Sequence, residues 1–85
     1  MVTQRIAVRL RGPRAEASAQ RLIASLPLHD PQIVSHTQDE FVCEVTVHEE
    51  SAYRGCLAVC GLLAGAHVSF DSVAPSRSGS DGPVG

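Results

Sequence analysis

The run from Gly55 to Ala66, GCLAVCGLLAGA, carries no charge and no strongly polar side chain. It reads as most of a helix that is apolar on every side, and such a helix is normally buried. The chain has 85 residues. A single domain of that size buries a smaller share of its surface than a large one does. It has little core with which to wrap a helix all round. The outer face of this helix is therefore expected to be covered by a second copy of the chain or by a different protein.

The remaining pattern supplies a sheet for the helix to lie on. Gln4 to Arg11 alternates, with Ile6, Val8 and Leu10 on one face and Arg5, Ala7, Arg9 and Arg11 on the other. That is a half-buried strand. Gly12-Pro13 interrupts it, with Gly12 expected to cap a helix and Pro13 to occupy its first position. From Arg14 to Leu26 the apolar residues Ala15, Ala19, Leu22, Ile23 and Leu26 repeat at helical spacing. Pro27 to Pro31 reads as a loop. Gln32 to Thr37 reads as a short strand, Gln38-Asp39 as a tight turn, and Glu40 to His48 as a strand with Phe41, Cys43, Val45 and Val47 on one face. Glu49 and Glu50 are placed where a second helix would begin, and Gly65 where it would stop. His67 to Val73 alternates again, with Val68, Phe70 and Val73 inward.

The order is β-α-β-β-α-β. Right-handed crossovers then favour an α+β ferredoxin-like sandwich, a four-stranded antiparallel sheet with both helices on one face. The domain is expected over residues 1–73. Residues 74–85, rich in Pro, Ser and Gly, are expected to form a disordered tail.

Charge divides unevenly. Residues 1–26 hold five arginines against Glu16, a balance of +4, whereas residues 27–73 hold Arg54 against seven acidic residues, a balance of −6. Either the basic first strand lies beside an acidic later strand, or it forms a patch for an anionic ligand. The turn Arg11-Gly12-Pro13-Arg14 is the candidate ligand site, with Arg11, Gly12 and Arg14 as its residues. It sets two guanidinium groups around a helix N-terminus, where free N–H groups and the helix dipole favour anions.

Other chemistries are weaker. Cys43, Cys56 and Cys60 are read as small core hydrophobes of a reduced compartment; no metal and no cofactor is expected. His29, His36, His48 and His67 have none of the short ligand spacings. His48, His67 and Glu44 are the acid–base groups an enzyme in this fold would use. RNA-binding versions of the fold stack bases on exposed aromatics of the central strands. Here those positions hold Arg5, Ala7, Arg9, Val42, Glu44 and Thr46, so nucleic acid is not an expected partner. Acylphosphatases share the fold and use an Arg of the first strand–helix loop with an Asn, and this chain has no Asn. The N-terminus is too short and charged for a signal-peptide apolar region, and the apolar run is too short to span a bilayer. A cytoplasmic protein without membrane attachment is expected.

The pattern over residues 4–73 resembles the outline of ACT domains, small amino-acid-binding regulatory modules that often dimerise. Those domains often carry an acidic residue and Pro-Gly between the first strand and helix, where this chain has Arg11-Gly12-Pro13-Arg14. The resemblance implies a small regulatory module that dimerises.

For the second helix, the sequence places Ala52, Cys56, Val59 and Leu63, flanked by Tyr53, Leu57, Cys60 and Ala64, against the sheet. Gly55, Ala58, Gly61 and Leu62 then form the outward interface, where small residues let another backbone approach. The expected function is a small non-catalytic module that self-associates as a homodimer or larger oligomer and binds a small anion. The alternatives are a small dimeric enzyme with His acid–base groups in a cleft beside the sheet, and an accessory subunit docking its second helix on a larger protein.

Overall fold

A computed structural model describes residues 2–76. Strand β1 (Val2–Arg11) leads to helix α1 (Ala15–Ser25) and a 3-10 turn (Pro27–His29). Strands β2 (Gln32–His36) and β3 (Glu40–Glu49) follow, then helix α2 (Ala52–Gly65) and strand β4 (Ser72–Pro75). The sheet order is β2-β3-β1-β4 with every pairing antiparallel, the ferredoxin-like arrangement expected from the element order. β1 and β3 pair along their whole length, from Val2 opposite Glu49 to Arg11 opposite Glu40.

That register brings the two alternating apolar rows together. Ile6, Val8 and Leu10 lie beside Cys43, Val45 and Val47, and all six are buried under the helices. From α1, Ala15, Ala19 and Leu22 complete the core, joined by Leu26 just beyond the helix. α2 adds Val59 and Leu63. The odd-numbered residues of β1 and even-numbered residues of β3 face the other side, which neither α1 nor α2 covers.

Several boundaries differ from the sequence expectation. α1 begins at Ala15 with Arg14 as its cap residue, and Gly12 and Pro13 lie in the preceding turn. Gly12 has φ +96°, a conformation that favours glycine, and its N–H donates to the Asp39 carbonyl at 2.8 Å. Glu49 ends β3 instead of opening α2; Ser51 caps the helix, its side chain accepting from the Arg54 N–H at 3.2 Å. At the other end of α2, Val68 N–H donates to the Leu63 carbonyl and His67 N–H to the Ala64 carbonyl. This is the Schellman pattern. The left-handed residue within it is His67, at φ 59°, not Gly65. β4 starts later than expected and runs to Pro75, with Ala74 opposite Ala7 and Ser76 N–H donating to the Arg5 carbonyl at 2.8 Å. The sheet thus extends into the segment read as tail. The rest of that segment, residues 77–85, lies outside the described residues.

The largest correction concerns the rotation of α2. Gly55 was expected on the outer face and instead faces the sheet with Val59 and Leu63. A Cβ at Gly55 would stand 3.1 Å from Ile6 Cδ1, 3.2 Å from Gln4 Cβ and 3.4 Å from Val47 Cγ2. Leu62 is also turned in, half-buried against the core. Tyr53 and Leu57, expected inward, point out. The glycine is internal because the helix sits so close to the strands that even a Cβ would crowd Ile6 and Gln4.

Replacing Gly55 by Val forces the helix off the sheet or the Ile6 and Val47 side chains out of their rotamers. Overpacking of this kind costs about 1–3 kcal/mol. Urea denaturation of Gly55→Val should show a loss in that range.

Candidate functional site

The uncovered face of the sheet is organised by the arginines of β1. Arg5 Nε donates to Glu44 Oε1 at 3.1 Å, and its Nη1 donates to Thr46 Oγ1 at 2.6 Å and to the Asp30 carbonyl at 2.9 Å. The Asp30 carboxylate lies 3.5 Å from the same Nη1. Arg9 and Arg11 both reach Glu40 Oε2, at 3.1 and 3.2 Å. The uneven charge of the sequence is thus partly answered within the fold, because the register sets these strands side by side. Glu44 is only 6 % exposed although it lies on the open face. Its two carboxylate oxygens accept from Arg5 and from the Ser76 hydroxyl.

This pairing alters the anion candidate. Arg11 is engaged with Glu40, and Gly12 holds the turn against Asp39. Arg14 caps α1 through its backbone, with no side-chain cap bond, and makes no ion pair among the described residues. The three residues are neighbours in one turn, but only Arg14 keeps its charge uncommitted. A separate cleft of about 590 Å³ opens on the sheet face between Ala7, Arg9, Val42, Glu44 and the end of β4 at Ala74–Ser76.

The histidines are dispersed. His29 lies against β3, its Nδ1 3.0 Å from the Thr46 carbonyl, beyond the point where β2 stops covering that edge. His36 stacks on Phe41, with ring centroids 5.1 Å apart. His48 Nδ1 is 3.5 Å from Thr3 Oγ1, and His67 is exposed in the turn after α2. His48 and His67 therefore do not meet in one cleft. Among the described residues no three of His, Cys, Asp and Glu converge in a way that would hold a metal ion.

The thiols are free. Burial pushes the Cys43 thiol up from the ordinary 9.0 to about 11. Burial also raises Cys56, and the neighbouring Cys60 thiolate raises it further. None of this favours a nucleophilic thiolate at neutral pH.

The remaining feature is the outer side of α2. Tyr53 is 72 % exposed and Leu57 54 % exposed, and Gly61, Ala64 and Gly65 continue the exposed face toward the C-terminal end. Of the four interface residues expected from sequence, Gly61 lies on this face and Ala58 at its half-buried margin, whereas Gly55 and Leu62 do not belong to it. Sequence reasoning misses Tyr53 and Leu57 because it places large apolar residues inward. The row Gly55, Val59, Leu63, at intervals of four, was the available signal for the true buried face. Beside it, a hollow of about 500 Å³ lies between Gly61, Leu62 and Gly65 of α2, with the following Ala66, and Ser25 and Leu26 at the end of α1. Leu28 stands next to this region and is 94 % exposed. No described helix is long and apolar enough to cross a membrane.

No protein-family model matches the chain, and neither a curated protein nor a solved structure matches it. Function must therefore be argued from the fold and the placement of its side chains.

The Cys43 shift carries a stability prediction. A thiol whose folded pKa is raised stabilises the fold fully below its unfolded value and loses that contribution as pH climbs toward the folded value. Stability should therefore fall as pH rises from about 9 to about 11. Replacing Cys43 by Ala should flatten this part of the pH profile, as read by chemical denaturation across that range.

Proposed function

We propose that this chain is a small non-catalytic assembly module, a ferredoxin-like domain that associates with copies of itself through the outer face of α2. The observation that carries this reading is the exposure of Tyr53 and Leu57 on a helix without charge from Gly55 to Ala66. The face joins two large exposed side chains to an open glycine, Gly61, where a Cβ would meet no atom of the described residues within 4 Å beyond the helix's own turn. Contiguous exposed apolar surface of this sort marks an interaction site more often than scattered single residues do. A small anion at the Arg11–Arg14 turn belongs to the same reading, with Arg14 as the free charge, and gives the module a means of responding to a ligand.

The test is the solution mass of the wild-type chain and of Gly61→Arg, by light scattering after gel filtration over a wide concentration range. Gly61 is exposed with open space above it, so the variant should fold. A wild-type dimer or larger symmetric species that becomes monomeric in Gly61→Arg is the expected result. A wild-type chain that stays monomeric throughout contradicts self-association and directs the search to a different protein.

A further inference from the structure

Resting on the self-association reading, we infer that the second copy packs its α2 antiparallel to the first, about a two-fold axis that passes between the two helices at the level of Val59. The exposed face is unequal along its length. Its N-terminal half carries the bulky residues Tyr53 and Leu57, and its C-terminal half carries Gly61, Ala64 and Gly65. Among the described residues nothing beyond the helix's own turn lies within 4 Å of where a Cβ would stand at Gly61 or Gly65, and the 500 Å³ hollow opens beside both. Antiparallel packing about that axis sets Leu57 of each copy over Gly61 of the other, and Tyr53 over the small residues Ala64 and Gly65. Parallel packing would set bulk on bulk at one end and leave a void over the glycines at the other, which forfeits dispersion contacts.

Charge points the same way. Arg54 lies in the first turn of α2, where the helix dipole is positive and a cation is unfavourable. The last turn, where a cation is favourable, contains no basic residue. Arg54 makes no ion pair among the described residues. The antiparallel arrangement carries Arg54 of each copy to the negative C-terminal end of the other α2, so that each helix supplies what the other lacks. A parallel arrangement would set Arg54 against Arg54. No other charge lies between Gly55 and Ala66 to oppose a homotypic contact. The contact is isologous, as a closed dimer requires. A single helix face is smaller than the roughly 800 Å² per partner of stable interfaces, so the dimer should dissociate on dilution.

The experiment exchanges the bulky and small positions. Wild type, Gly61→Leu and the double variant Leu57→Ala with Gly61→Leu are compared by sedimentation equilibrium as full chains. Thermal unfolding by circular dichroism accompanies each. Leu57 is half-exposed and Gly61 open, so neither change strikes the core. The expected result is a wild-type dimer, dimerisation at least tenfold weaker in Gly61→Leu, and recovery to within a few-fold of wild type in the double variant. There the shortened side chain at position 57 of each copy makes room for the enlarged one at position 61 of the other. A monomeric wild type overturns the self-association reading and this inference together. A wild-type dimer that Gly61→Leu leaves intact, or that the double variant fails to restore, overturns the antiparallel packing alone.

Discussion

The close seating of α2 on the sheet at Gly55 determines most of what this surface presents. With no side chain at that position, the helix backbone comes down onto Ile6, Gln4 and Val47. The same contact fixes the helix about its own axis. Val59 and Leu63, one and two steps of four residues further on, turn inward with Gly55. Tyr53 and Leu57 must then turn outward. A helix interior glycine disfavours the helix by roughly 1 kcal/mol relative to alanine. The burial of the helix against the strands is what offsets it. The exposed apolar face is thus a geometric consequence of how the core closes.

The opposite face of the sheet behaves differently. There the strands present charge, and the β1–β3 register sets Arg5 beside Glu44 and Arg9 and Arg11 within reach of Glu40. Arg5 also ties Asp30 and Thr46 together, closing the loop between α1 and β2 onto the end of β3 that β2 leaves uncovered. Exposed pairs of this kind contribute little individually. Arg5, with several acceptors and a buried carboxylate partner, contributes more through the geometry it fixes. The open side of the sheet therefore pairs Arg5, Arg9 and Arg11 within the chain, whereas the outer side of α2 leaves Tyr53 and Leu57 exposed.

The fold was legible because its strands alternate and its breaks are marked. Ile6, Val8 and Leu10, the row Phe41 to Val47, and the helical spacing from Ala15 to Leu26 each match the buried face found in the structure. The rotation of α2 was not legible in the same way. The stretch from Gly55 to Ala66, without a charge, gives no polar side to label the exterior, and size is a poor substitute when a glycine is the residue packed most tightly. The end of α2 falls at Gly65 as its glycine suggests, but the left-handed residue that closes it is a different one. His67 adopts the left-handed position usually held by glycine, while Gly65 nearby is ordinary helix. The pairing of Arg11 with Glu40 depends on long-range register, and so the anion site read from a local turn retained one uncommitted arginine of its two.

Tyr53 is the only tyrosine, and the chain has no tryptophan, so its intrinsic fluorescence reports on the exposed face of α2 alone. Acrylamide quenching of that fluorescence across a dilution series tests the central claim directly. If a second copy covers α2, quenching is weak at high protein concentration and rises on dilution to that of a largely exposed tyrosine. Strong quenching that does not change with concentration would contradict it, since Tyr53 would then face solvent however many copies are present.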